Sequence, residues 1–154
     1  METIYKELTN STEDYKAFVN FLRKVDNDFR VPLSSKCSLD QYAHKLLENG
    51  HVIAFFDVDN MILSAIGFYS NDKTNKIAYL TIMSSLSEAR GMGLAKKLIL
   101  KMIKICVLNG MEHVITYSVN PIAIHLYKSL GYEEISSTEE NGIPTVKLSY
   151  KLLK

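Results

Sequence analysis

The sequence predicts a mixed α/β fold in three layers, with a central mixed sheet whose N-terminal half is antiparallel and helices on both of its faces. Three observations lead there. Apolar and aromatic runs at 51–56, 61–69 and 76–83 follow one another across short polar loops, as in an antiparallel meander. Segments with apolar residues at helical spacing stand before and after them. Strands and helices alternate only in the second half, so the meander leads into β-α-β units whose sheet needs cover on both sides. With 154 residues, 47% of them apolar, the chain suffices for one core and is short for two, so a single domain over 1–154 is expected.

The elements follow in order. Residues 3–8 read as a strand. Ser11 offers a capping side chain to a helix whose Tyr15, Phe18, Val19, Leu22 and Val25 share a face. The stretch 30–36, with Pro32 and two serines, reads as a loop, after which Ser38 and Gln41 form a capping box opening a helix at 39–48. Asp57, Asp59 and Asn60 make the turn of the first hairpin, and 71–75 the loop before the third run. From 93 to 109, Leu94, Leu98, Met102, Ile105 and Cys106 line one face of a helix, Lys97, Lys101 and Lys104 another, and Gly110 closes it. A strand at 114–119, a short helix at 123–130 ending at Gly131, and a last strand at 143–152 beyond a Glu139-Glu140-Asn141-Gly142 turn complete the reading.

Composition excludes several classes. The net charge is +1 with both signs mixed along the chain, so no field favours nucleic acid, a membrane surface or an acidic partner. Cys37 and Cys106 match neither a metal spacing nor a disulfide framework, and His44, His51, His113 and His125 lack paired ligand spacing, so no metal is implied. The N-terminus lacks a signal-peptide layout and no apolar run nears the roughly 18 residues of a span, so a cytoplasmic location is expected.

The informative stretch is 79–100, YLTIMSSLSEARGMGLAKKLIL, where an apolar strand runs through a polar loop and Arg90-Gly91-Met92-Gly93 into an amphipathic helix. The first-turn amides of a helix lack internal acceptors and sit at the positive end of its dipole, and glycine admits a close approach, so a pyrophosphate fits there. The loop has neither the Gly-Lys-Ser/Thr ending of a nucleoside triphosphate loop nor G-x-G-x-x-G. An ordinary tight strand-to-helix turn accounts for Gly-x-Gly as well.

Arg90-Gly-Met-Gly-Leu-Ala95 resembles the Arg/Gln-x-x-Gly-x-Gly/Ala motif of the GNAT acetyltransferase superfamily, and NPIAIHLYKSLGY, 120–132, is similar to its second signature. The resemblance implies a GNAT-like three-layer fold and acetyl-CoA or coenzyme A as co-substrate. It places the pyrophosphate on Arg90, Gly91, Met92, Gly93, Leu94, Ala95 and Lys96, and the pantetheine arm on backbone groups of Met83, Ser84 and Ser85 and on Asn120. Departures stand at Ser87, where many relatives have proline, and at Ser85, where an aliphatic residue is usual. Neither removes a backbone donor.

The resemblance also puts Tyr127 near the cofactor sulfur. A phenol with a pKa of about 10 can protonate a departing thiolate as general acid; a half-buried aromatic on a short helix is the plainer account. No carboxylate stands on 80–83 or 115–119 to serve as base, and Thr81, Tyr117 and Ser118 can only orient water. Cys37, Tyr42 and His44 fall where this family shapes its acceptor pocket, Lys97 is a second cation near the phosphates, and Glu88 and His125 read as surface groups. The implied activity is direct acetyl transfer to a primary amine, of a small molecule because no acidic or extended groove is legible. Aminosugars, polyamines, amino acids, antibiotics and protein amino termini all fit. A non-catalytic acyl-CoA-binding or sensing domain is the alternative, motivated by the missing carboxylate. Dimers are common in this fold, and the last strand with its turn is the element that would contribute an interface.

Overall fold

The computed structural model describes residues 2–140 and 142–152. The chain runs β1 (Ile4–Glu7), α1 (Thr12–Val25), two 3-10 turns (Asp26–Asp28 and Leu33–Ser35), α2 (Leu39–Asn49), β2 (His51–Phe56), β3 (Ile62–Tyr69), β4 (Ile77–Ser85), a further 3-10 turn (Ser87–Ala89), α3 (Leu94–Leu108), β5 (His113–Ser118), α4 (Pro121–Ser129), β6 (Glu133–Glu140) and β7 (Ile143–Lys151). The strands form one seven-stranded sheet in the order β1-β2-β3-β4-β5-β7-β6. Among the described residues β4 and β5 are the one parallel pair, as a helical crossover through α3 requires.

The caps legible in the sequence make their bonds. The Asp14 amide donates to Ser11 Oγ at 3.2 Å and the Gln41 amide to Ser38 Oγ at 3.3 Å, each satisfying a first-turn donor. Asp14 is buried yet charged. Burial works against its ionised form, but bonds from Lys6 and from the Thr9 amide and hydroxyl outweigh it and hold the carboxyl below its ordinary value. That cluster joins β1 to the start of α1.

Side-chain contacts show which face each helix covers. Lys6 reaches Asp14 of α1, and Val52, two residues from its partner Ala54, pairs with Gly67, which lies under Leu46 of α2. Tyr5 and Phe55, on the opposite face, meet α3, where Lys101 Nζ sits 4.0 Å from the centre of the Tyr5 ring. Thus α1 and α2 cover one face and α3 the other. With both sides covered, β2 and β3 are buried almost end to end, so their sequences read as continuous apolar runs. The core between the layers is built on Phe18, Phe21, Leu22, Leu46, Ile53, Ile66, Phe68, Leu98, Ile99 and Met102, each under 3% exposed. On α3 the fifth fully buried position is Ile99; Ile105, expected in the core, is half-buried at its margin.

Two boundaries differ from expectation. The helix expected at 123–130 begins at Pro121, because Asn120 caps it and proline suits the first helical position. The segment 133–140, expected to lead into a turn, is the edge strand β6, paired antiparallel with β7. Its composition, EEISSTEE, hid it: an edge strand exposed to water carries charge and hydroxyls instead of the apolar alternation that marks a half-buried strand. Asn141 of the intervening turn lies outside the described residues.

Gly67 has no room for a side chain, since a Cβ there would stand 2.3 Å from Leu46 Cδ2 and 2.9 Å from Ile82 Cγ2. Gly67→Ala is therefore expected to force α2 off the sheet at a cost of about 1–3 kcal/mol, read as a lower midpoint in urea unfolding with an unchanged slope.

Candidate active site

The parallel pairing of β4 with β5 covers Ile77 to Leu80 against His113 to Thr116 and stops there. The cause lies on the other side of β4. Gly67 pairs with Ile82 but Phe68 with Leu80, leaving Thr81 as an extra residue, a β-bulge that bends the strand. Thr81 Oγ1 donates to the Gly67 carbonyl at 3.2 Å, and buried Thr116 Oγ1 donates to the Leu80 carbonyl at 3.1 Å, pinning the vertex of the resulting fork. Beyond it, the backbone groups of β4 that β3 does not use face open space.

A cleft of about 550 Å³ passes through this fork. Its walls include Leu80, Thr81, Ile82 and Met83 of β4, Thr116 to Ser118 of β5 with Val119 and Asn120 after it, Ala123 and Tyr127 of α4, and Asp28, Phe29, Arg30, Val31 and Lys36 between α1 and α2. A second cleft of about 590 Å³, lined by Lys45, Tyr69, Tyr79, Ile115 and others, opens on the α2 face and shares Leu80, Thr81 and Tyr117 with the first. The two meet at the fork.

The glycine turn lies outside the lining of both clefts and is tied to the first through Asp28, a lining residue. Gly91 and Gly93 have φ of 83° and 74°, left-handed values that favour glycine, and both are exposed. The first bond of α3 runs from the Lys97 amide to the Gly93 carbonyl at 3.2 Å, so the amides of residues 91–96 have no acceptor among the described residues. Lys96 and Lys97 are exposed, whereas Leu94 is buried and Met92 and Ala95 are half-buried, leaving those three mainly their backbone to offer. The Arg90 guanidinium is turned to Asp28, 2.9 Å away. This ion pair ties the segment between α1 and α2 to the turn.

Tyr127 is 3% exposed and its hydroxyl donates to Met83 Sδ at 3.6 Å, on the α3 side of the fork. Burial pushes its phenol up to about 12, only partly offset by the Thr116 hydroxyl beside it. Its ring packs on Tyr132, centroids 5.1 Å apart. Ser85 Oγ bonds Ser64 Oγ at 2.7 Å, and the Ser84 carbonyl accepts from Ser64 Oγ at 3.3 Å, so both face β3. Asn120 Oδ1 accepts from the Ile122 amide at 2.9 Å, using that oxygen as the cap of α4.

The structure also joins residues that sequence reasoning left apart. Tyr42 Oη lies 3.2 Å from Thr81 Oγ1. Either hydroxyl can donate in this contact, and Thr81 Oγ1 is also 3.2 Å from the Gly67 carbonyl. Only the bulge makes this contact, and no local pattern reports a bulge. Cys37 donates to the Leu33 carbonyl, His44 stacks on Tyr15 with centroids 3.9 Å apart, and Glu88 and His125 are exposed outside both clefts.

A mixed sheet forked between two parallel strands, with a glycine turn between the first of them and the crossover helix, is an acetyltransferase architecture. A sequence profile described as the Acetyltransferase (GNAT) family matches residues 18–132, and the chain belongs to that family, whose members bind acetyl-CoA. The fold is similar to an acetyltransferase of the GNAT family from Staphylococcus aureus Mu50 (16% identity, TM-score 0.77, 97% of this chain and 100% of that one). It is similar also to one from Streptococcus pneumoniae (17%, 0.78, 98% and 99%) and to a chain of the NatC complex bound to Gag peptide and CoA (20%, 0.77, 99% and 100%). No curated protein matches the sequence.

The capping geometry of Asn120 yields a separable test. Asn120→Ala should lose about 1 kcal/mol of stability, lowering the thermal midpoint by roughly 2–4 °C, while Asn120→Asp, which keeps the capping oxygen, should stay within about 0.5 kcal/mol of the parent.

Proposed function

We propose that the chain transfers the acetyl group of acetyl-CoA to the primary amine of a small molecule, by direct attack within a ternary complex. The observation that supports this most is the fork itself, where a cleft running from the segment between α1 and α2 to the buried phenol of Tyr127 meets a second cleft on the α2 face.

In this reading the pyrophosphate lies against the amides of Gly91 to Lys96, with the Lys96 ammonium nearby, where the helix dipole favours negative charge. The pantetheine arm runs along β4 at Met83, Ser84 and Ser85, where it meets the backbone groups that β3 does not use, and along the Asn120 side chain, which brings the thioester to the vertex. The amine enters from the α2 side. The Tyr42 hydroxyl, in the wall of the cleft, receives an N–H of the attacking nitrogen and aims its lone pair at the carbonyl carbon. A C–N bond forms, the tetrahedral intermediate collapses, and the C–S bond breaks.

Tyr127 faces the departing sulfur. From a phenol at about 12 to a thiol near 8.5, full proton transfer runs uphill by roughly 5 kcal/mol. The phenol therefore hydrogen-bonds the developing thiolate; as its proton crosses to sulfur, the new amide nitrogen releases its own to water in the cleft, and the tyrosinate is reprotonated from that water, so the thiol, the amide and the phenol are left with no net change in protons. With no unpaired carboxylate lining the clefts, the enzyme takes the neutral amine from solution, for an alkylamine on the order of one molecule in 2,500 at pH 7. The same absence favours the second reading, an acyl-CoA-sensing domain, which sustained turnover with any amine would reject.

Calorimetric titration with acetyl-CoA tests the cofactor site. The parent should bind and Gly93→Asp, folded by circular dichroism, should not; equal binding by both would move the phosphates away from this turn.

Tyr127→Phe is expected to lower kcat about 100-fold or more with little change in KM for acetyl-CoA. In the parent, log kcat/KM for an alkylamine should climb with unit slope from pH 6 to 9 and show no descending limb below pH 10, because a phenol raised to about 12 keeps its proton throughout. A descending limb near pH 8–9 that vanished in Tyr127→Phe would contradict the burial argument.

A further inference from the structure

We infer that the acceptor carries an anionic group, a carboxylate or a phosphate, in addition to its amine, and that Lys45, Arg30 and Lys36 supply the charge that receives it. The inference rests on the acetyl-transfer reading and narrows its substrate class.

The argument is a count of charges around the fork. The charged residues lining the first cleft are Asp28, Arg30 and Lys36, and the one lining the second is Lys45. Asp28 is already neutralised by Arg90 at 2.9 Å. Arg30, Lys36 and Lys45 have no ion pair among the described residues. A fourth cation stands at the rim, where Lys147 of β7 lies over the ring of Tyr117, 5.9 Å from its centre.

Among the described residues no carboxylate other than Asp28 lines either cleft. Asp26 accepts the Ser34 amide and hydroxyl, Asp40 pairs with Arg23, and Asp72 accepts the amides of Thr74 and Asn75 within its own loop. A chain of net charge +1 thus gathers unbalanced positive charge where its acceptor would enter. Such a field raises the local concentration of anions and opposes a polycation. Polyamines and aminosugar antibiotics bearing several ammonium groups need the opposite lining.

The positions suit a bifunctional ligand. Tyr42 and Lys45 are three residues apart on α2 and so project from one face of it, the phenol toward the fork and the lysine into the second cleft. An amine held by Tyr42 then has a cation one helical turn away for its anionic end.

The test is steady-state kinetics with acetyl-CoA, expressed per unprotonated amine so that differences in amine pKa cancel. The acceptors are free amino acids against their C-terminal amides, phosphoethanolamine against ethanolamine, and spermidine. The anionic member of at least one pair should exceed its neutral counterpart about tenfold or more in kcat/KM, and which pair responds separates carboxylate from phosphate. The preference should shrink toward unity as salt rises from 20 mM to 0.5 M. Lys45→Glu and Arg30→Glu, at exposed positions, should abolish it while leaving KM for acetyl-CoA within twofold. Equal or better use of the amides, ethanolamine or spermidine overturns the inference, as does an unchanged preference in both variants. So does a panel with no turnover from a protein that binds acetyl-CoA by calorimetry. Loss of acetyl-CoA binding itself would instead strike the underlying reading.

Discussion

Past Leu80 and Thr116 the backbones of β4 and β5 no longer bond to each other, and the site is organised around that break in the ladder. A buried strand would ordinarily use both of its edges, because an unpaired amide or carbonyl away from water costs as much as a lost hydrogen bond. Here one extra residue, Thr81, bends β4, and the Thr116 hydroxyl fastens the last paired position so that the two strands part at a defined point. Everything that bears on chemistry is then placed relative to the opening: the glycine turn follows β4, α4 with Tyr127 follows β5, and Tyr42 of α2 approaches through the bulge itself.

The layers on either side give the opening two unlike sides. On the α3 side the free amides of residues 91–96 stand beside the exposed Lys96 and Lys97, while Tyr127 is buried against Tyr132. On the α2 side the cleft is lined by tyrosines and lysine. The Arg90–Asp28 pair links these sides. Both members are about half exposed, so its energetic worth is small; its consequence is to hold the connecting segment over the cleft and remove the one carboxylate there from use.

The sequence and the structure agree most closely where one interaction is local. Ser11 and Ser38 lie at helix starts because a short polar side chain reaches the amide three residues ahead, and such a contact is legible in a window of four residues. The same holds for the strand–glycine-turn–helix of 79–100 and for the buried runs of β2 and β3. β6 was missed because its sequence answers to water on an open edge and to its hydrogen bonds with β7, neither of which imposes apolar alternation on EEISSTEE.

The sequence by itself determined the order of elements apart from β6, the layered mixed sheet and the two family signatures, because each depends on spacing within one segment. Only the tertiary structure decided where β4 leaves β5, that Tyr42 meets Thr81, that Arg90 is held by Asp28, and that burial raises the Tyr127 phenol to about 12. The physical reason is the same in each case. These are contacts between residues 36 to 62 positions apart, or the sum of many such contacts as desolvation, and their geometry is set by how whole layers pack.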